Sequence, residues 1–504
     1  MKDYIFKRPM LLCAIICVVI SITGYYSKVA VTAFGIFYAI FIGIAVLKGA
    51  KPQILVALFL AFIMLLCLVG TLFKVDRVNS FVGTKQKTCA VVSEITREEV
   101  GYNCAVMEIT NDENLPRGTK VYCFYDNQKL TMGQTVKAEF KFKATTNPVT
   151  KASNYSNDIF ISANVYNIEI VEGESDFVLT AVDKVRSYIK STLFSNMGYK
   201  EASTMCALVF GDRSYFTDEF YSNVKGAGVS HVMVVSGMHL SILVMLCLKL
   251  SEKFFYNRYL RIFIMASVVI ALTTLCGFTM SILRAGITYA FMALSILIDR
   301  DNTPANTLSA AVVSVLLISP FAVFSVAFQL SVLSTFGILA VAFPITDYIK
   351  SRRLIKSKAV FTLLSAVIIT LSAALLTLPV SIYTFGYVSV VSVLTNLLIS
   401  FAVTLALSIA VMALIFNLCI PFLGEFLFEI CNFITVYINK VINYFGSKEF
   451  SVVSLPEWSA VIAILLIIFI FYCLLACKKR IDMLKLEEIS QKRKQEGVRQ
   501  LKWQ

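Results

Sequence analysis

The chain has 504 residues, 58% of them hydrophobic and 15% charged, with a mean hydropathy of +0.76. Ordinary soluble proteins are about half apolar and about a quarter charged, so this composition excludes that class. The formal net charge of +14 invites a nucleic-acid reading, but much of the excess sits in Met1–Arg8, Lys249–Arg261, Lys350–Lys358 and Lys478–Lys502. All four clusters flank apolar runs, where basic residues set orientation in a membrane.

Apolar runs of about 20 residues cross a bilayer as helices, and the pattern predicts a polytopic α-helical membrane protein of about ten to twelve spans. Pro9–Tyr25, Val29–Leu47 and Ile54–Phe73 make a three-span segment over residues 1–73. The basic start and apolar run are like a secretory signal, but no small-residue cleavage pattern follows, so the first span is read as uncleaved. Lys2, Lys7, Arg8, Lys48 and Lys51 then place the N-terminus of this cytoplasmic-membrane protein inside and send the third span outward.

Residues 74–180 change to short alternating runs such as CAVVSEI, VYCFY and QTVKAEFKF, punctuated by Pro116, Gly118 and Pro148. That pattern predicts a small extracytoplasmic β-barrel or sandwich. From Lys74 to Lys200 sixteen basic residues meet fifteen acidic ones, so the region as a whole does not attract polyanions. Lys137, Lys141, Lys143 and Lys151 form a local basic group, of the kind that guards a strand edge. Cys89, Cys104 and Cys123 allow one disulfide of undetermined pairing and one thiol.

Residues 181–230 read as short amphipathic helices lying in the membrane interface. One runs from Glu201 to Phe210 and stops at Gly211; the next starts at the cap Thr217 and ends at Gly226 and Gly228. Residues 231–477 hold further spans at Val232–Leu250, Ile262–Thr279, Ile282–Ile298, Leu308–Val326, Leu330–Ile345, Phe361–Tyr383, Val388–Cys419, Phe422–Tyr444 and Ala460–Cys477. Val388–Cys419 is long enough to be broken or tilted. Phe422–Tyr444 carries Glu425, Asn432 and Asn439 and suits the bundle interior. Residues 478–504 form a basic tail, expected in the cytoplasm.

Polar groups inside apolar runs mark the chemistry, because hydrocarbon tolerates them only where they face protein or water. His231 and His239 are the two histidines of the chain. Ser236 and His239 fall three apart on one helical face, with His231 roughly 80° away. A serine beside a histidine suggests an intramembrane hydrolase, although no nearby carboxylate orients the ring. The plainer alternative is that Ser236 and Gly237 permit close helix packing while His239 bonds across the bundle. Two histidines without companion carboxylates are too few for a metal. Arg284 costs about 2.5–3.5 kcal/mol near the bilayer centre. It either snorkels outward or grips an anion such as phosphate. Gln329, Ser331 and Asn396 are further polar points.

The motifs CALVFGDRS (206–214) and GVSHVMVVSGMHL (228–240), followed in order by SILRA (281–285), SPFAVF (319–324), FQLS (328–331), LPVSIYTFG (378–386) and NLL (396–398), resemble the ComEC family of DNA-internalisation proteins. The resemblance is strong over residues 201–407 and looser over the outer domain, where it implies an OB-like fold. It implies a channel conducting single-stranded DNA, without catalysis and without a cofactor. The expected path holds His231, Ser236, Gly237, His239, Arg284, Gln329 and Asn396, with Asp212 and Arg213 at the outer mouth. Tyr122, Phe124 and Tyr125 are available to stack bases, although strand aromatics more often fill a core. Implied partners are single-stranded DNA, the lipid bilayer, an outer DNA receptor and a cytoplasmic ATPase. Many members carry a histidine-rich metallo-β-lactamase-like domain; with two histidines this chain is expected to lack it and to leave strand degradation to a separate nuclease. A transporter of small anions using Arg284 is a further alternative.

Overall fold

The computed structural model describes residues 9–27, 35, 52–99, 102–111, 115–126, 128–145, 148–233, 235, 237–254, 257–277, 279–298, 303–352 and 354–470. The expected spans at Val29–Leu47 and after Ile470, the tail 478–504 and Ser236 lie outside the described residues. Two apolar helices open the chain, α1 (Pro9–Tyr26) and α2 (Pro52–Asn79). Strands β1 (Lys85–Glu99), β2 (Tyr102–Asn111), β3 (Thr119–Tyr125) and β4 (Gln134–Lys143) follow. Helix α3 (Pro148–Ser156) then precedes strand β5 (Ile159–Ser175).

The five strands close into a barrel in the order β1-β2-β3-β5-β4. β3 and β5 run parallel, while β1–β2, β1–β4, β2–β3 and β4–β5 are antiparallel. Alternation places Val121, Cys123 and Tyr125 of β3 in the core and turns Tyr122 and Phe124 outward. Tyr125, 2% exposed, is therefore a core residue and not a stacking platform. Lys151 sits on α3 rather than on a strand, with its Nζ 5.4 Å from the Tyr155 ring centre. Closure leaves β4 paired on both sides, so its lysines guard no edge. Cys89, Cys104 and Cys123 are free thiols.

The barrel rests on the helical block through specific contacts. Lys74 at the end of α2 pairs with Asp158 at 3.1 Å. Ser319 donates to the Ser156 carbonyl at 3.1 Å, and the Tyr155 ring packs on Phe321 and Tyr25. Asp176 caps α4 (Phe177–Asn196), accepting from the Leu179 amide. From α4, Arg186 donates to the Leu275 carbonyl at 2.6 Å and meets the Met132 sulfur at 3.2 Å.

Helix α5 (Tyr199–Phe210) ends at Gly211 in the left-handed conformation, and Thr217 caps α6 (Asp218–Gly226), as the sequence predicts. α5 does not lie on the surface. Ala202, Met205, Cys206 and Leu208 are buried against α14 (Ser392–Cys419) and α15 (Pro421–Gly446), since these small and apolar side chains fill an interhelical core. The intervening helices are α7 (Gly237–Phe254), α8 (Arg258–Leu275), α9 (Met280–Leu297), α10 (Pro304–Ile318), α11 (Val326–Gly337), α12 (Phe343–Ser351) and α13 (Lys358–Phe385). A short apolar helix at Ser459–Ile470 closes the described chain.

Among the described residues, Ile54–Asn79, Val326–Ser351, Lys358–Phe385, Ser392–Cys419 and Pro421–Gly446 are long and apolar enough to cross a membrane. α10 is followed by a 3-10 turn at Pro320–Phe324, where proline ends the α-helix. A π segment at Ile338–Ala342 joins α11 to α12. α14 is one unbroken 28-residue helix, so of the two expectations, broken or tilted, the break is absent. The polar residues of α15 divide: Asn439 accepts from Thr204 at 2.8 Å and Asn443 from Asn223 at 3.1 Å, whereas Glu425, expected inside the bundle, is exposed.

Candidate functional site

The turn before α9 depends on Gly277, whose φ of +78° suits glycine. α9 then presents Arg284 and Ala285 to α7 at Gly237. A Cβ on Gly237 would stand 3.2 Å from both the Ala285 Cβ and the Arg284 Nη2, so the missing side chain is what admits the guanidinium between the helices. Arg284 is 7% exposed and donates from Nε to the Ser331 hydroxyl of α11 at 2.9 Å. The snorkelling alternative is thereby set aside. Among the described residues no carboxylate forms an ion pair with Arg284.

His239 follows Gly237 on α7 and is buried. It borders a cavity of about 10 Å³, the room of a single water, shared with Leu208, Val235, Leu272 and Cys276. His231 lies in the irregular turn before α7, exposed, hydrogen-bonded to the Gly228 backbone. The expected helix from Val232 starts at Gly237, which overturns the helical spacing assigned to His231 and His239. Tertiary packing overrides the apolar run here: Val229 and Val232 are taken into one interhelical core and Val235 into another.

Asp212 and Arg213 sit on the loop after α5, close to the entry of α7, since Gly211 touches Val235. Asp212 pairs with Lys190 of α4 at 2.6 Å and accepts from the Ser214 amide and hydroxyl. Burial alone would raise the Asp212 pKa, but the bonds from Lys190 and Ser214 outweigh it and hold the carboxyl below its usual range. Burial likewise opposes the Lys190 charge, and Asp212 outweighs it, so the ammonium is raised. Arg213 stacks instead over Tyr221, 5.7 Å from the ring centre.

Two expected path residues are engaged locally. Gln329 donates to the Val323 carbonyl at 2.8 Å, fastening α11 to the preceding 3-10 turn. Asn396 accepts from Ser400 one turn along α14. The structure thus gathers Gly237, Arg284 and Ser331 into one contact, with His239 two residues along α7. It does not bring Gln329 or Asn396 into that contact. Sequence reasoning missed Lys190, whose partner lies 22 positions away and leaves no local signal.

The fold and this buried cluster define a helical membrane protein that carries a closed β-barrel. The competence protein family model matches residues 208–480. The chain belongs to that family. It is 23% identical over 298 residues to ComE operon protein 3 of Bacillus subtilis (strain 168), covering 59% of this chain and 37% of that relative. The chain therefore spans well under half the length of that curated relative. No solved structure matches.

Proposed function

We propose that this protein is a channel importing single-stranded DNA across the cytoplasmic membrane during natural transformation. The observation that carries the reading is the Arg284 guanidinium, buried between α7, α9 and α11 with a neutral hydroxyl for its described partner. A cation so placed is stabilised by an anion, and its planar donors fit phosphate. Strand passage needs donors that bind phosphate and release it, which a single arginine beside Ser331 and Gly237 supplies better than a paired one. Family membership and the named relative support the competence setting.

In this reading the N-terminus is inside and the barrel outside, an orientation supported by the basic loops. The strand order and parallel β3–β5 pairing favour an OB-like barrel. In this reading the protein conducts rather than catalyses, and works with an outer DNA receptor and a cytoplasmic ATPase. Cells with and without the gene are compared for uptake of labelled DNA. Arg284→Ala is expected to reduce uptake at least tenfold at unchanged protein level, and full uptake by that variant refutes the reading.

The burial of Arg284 beside a neutral hydroxyl supports one second reading, transport of a small anion by the same arginine. Labelled DNA and small anions, tested in membranes lacking other uptake proteins, separate the two.

A further inference from the structure

We infer that Arg213, Tyr221 and Lys225 form a seat for the phosphodiester headgroup of an anionic phospholipid, at the membrane surface where α6 meets the ends of α13 and α15. The residues that carry the strand-conducting reading, Arg284, Ser331 and Gly237, take no part in it. Three ties set the level of the seat. Asn223 of α6 donates to Asn443 near the end of α15 at 3.1 Å. Ser389 donates to the carbonyl of Gly226, the last residue of α6, at 2.7 Å. Ser389 belongs to β6 (Tyr387–Ser389), which follows α13 and pairs antiparallel with β7 (Val452–Ser454), which follows α15. The end of α6 is thereby fixed beside the points where two long apolar helices leave hydrocarbon. Exposed aromatics mark the same level: Tyr383 and Phe385 at the end of α13, Tyr444 at the end of α15, and Phe450 and Trp458 beyond it. Tyrosine and tryptophan collect where headgroups meet acyl chains.

At that level two cations converge on one ring. The Lys225 Nζ stands 4.3 Å and the Arg213 guanidinium carbon 5.7 Å from the Tyr221 ring centre. Their charges therefore lie within about 10 Å of each other, roughly one Debye length at 0.1 M salt, and repel unless an anion joins them. A ring face attracts a cation but accepts none of its N–H donors in an ordinary hydrogen bond, so those donors stay available. Among the described residues neither side chain forms an ion pair. Asp212, the carboxylate next to Arg213, is taken by Lys190. Asp218 and Glu219 sit in the first turn of α6, Asp218 about 10 Å from Lys225 along the axis. A third cation, Lys448, stands over Tyr444 at 4.9 Å, just beyond α15. A phosphodiester supplies the opposing charge, its oxygens shared between the planar donors of Arg213 and the ammonium of Lys225. The aromatic collar sets these donors against the bilayer, where the phosphate of lipid headgroups is the concentrated anion.

The test uses the full chain in nanodiscs of phosphatidylcholine with phosphatidylglycerol added in steps, and reads the melting temperature together with the lipids retained in native mass spectrometry. Wild type is expected to gain melting temperature and to retain phosphatidylglycerol selectively. Arg213→Ala/Lys225→Ala is expected to need roughly 25-fold more phosphatidylglycerol for the same gain, about fivefold for each charge. Lys225→Arg keeps the gain, and Tyr221→Ala, which frees both cations from the ring, weakens it. Should the double variant already melt lower in phosphatidylcholine alone, lipid retention at low temperature still separates binding from folding. Equal gain and equal retention in wild type and the double variant overturn the inference. An equal gain from soluble glycerol phosphate in phosphatidylcholine discs overturns it too, since the anion is then not a lipid. A double variant that loses binding of labelled oligo-dT while keeping phosphatidylglycerol selectivity gives the two cations to the strand path and likewise overturns it.

Discussion

Lys190 and Asp212 tie α4 to the loop that leads into α7, and their shifted pKa values make the tie dependent on pH. Asp212 is held below its usual range, so the stability it lends is present above the ordinary carboxylate pKa and is lost as pH falls through its lowered value. Lys190 is raised, so its share is full below the ordinary lysine pKa and is lost as pH rises through the higher one. Asp212→Asn is expected to cost about 1–3 kcal/mol at neutral pH and to remove the acid-side decline, read from melting in detergent across a pH series. An unchanged acid limb would assign that decline to other groups. Ser236→Ala tests the hydrolase alternative at the same scale. DNA uptake is expected to persist within about twofold, because alanine keeps the side chain small.

At the scale of elements, close approach of backbones decides where helices can sit. Gly446 at the end of α15 meets the Asn223 carbonyl of α6, and Gly226 of α6 meets the Gly446 carbonyl in return. A Cβ at either position overlaps backbone, which cannot swing aside as a side chain can. Gly446→Ala is expected to lower stability by about 1–3 kcal/mol through forced separation of α6 and α15. Gly70→Ala, in α2 with nothing within 4 Å of its Cβ position, is the matched control and should leave the melting temperature unchanged or raised. Equal destabilisation at both positions would refute the close approach as the cause. The sequence shows Gly70 inside an apolar helical run and Gly446 at the end of one, but neither position reveals what its backbone meets. What distinguishes them is a partner more than two hundred residues away for one and open space for the other.

Over the whole molecule, apolar length made the long spans legible, and alternation made the β domain legible, because both patterns are local consequences of where side chains point. The same logic found Gly211, Thr217 and Gly228, which act on their own backbone. It failed where a residue's meaning is set by a distant neighbour. Gln329 and Asn396 look like a polar lining in the sequence, yet each satisfies a carbonyl or hydroxyl within six residues of itself. Tyr122 and Lys143 look unrelated, yet two strand pairings place them in one row. Arg284 was legible as costly in lipid, while its seat beside Gly237 emerged from the helix crossing alone.

The way the barrel is mounted has its own consequence. β5 ends at Ser175 and α4 begins at Phe177, so one capping residue joins them, while five residues separate α2 from β1. Arg186 adds a third point of attachment at Leu275. Such a joint has little slack. A pull on the barrel loads α2 and α4 together instead of swinging a loose head, so tension on the barrel reaches the helices as torque.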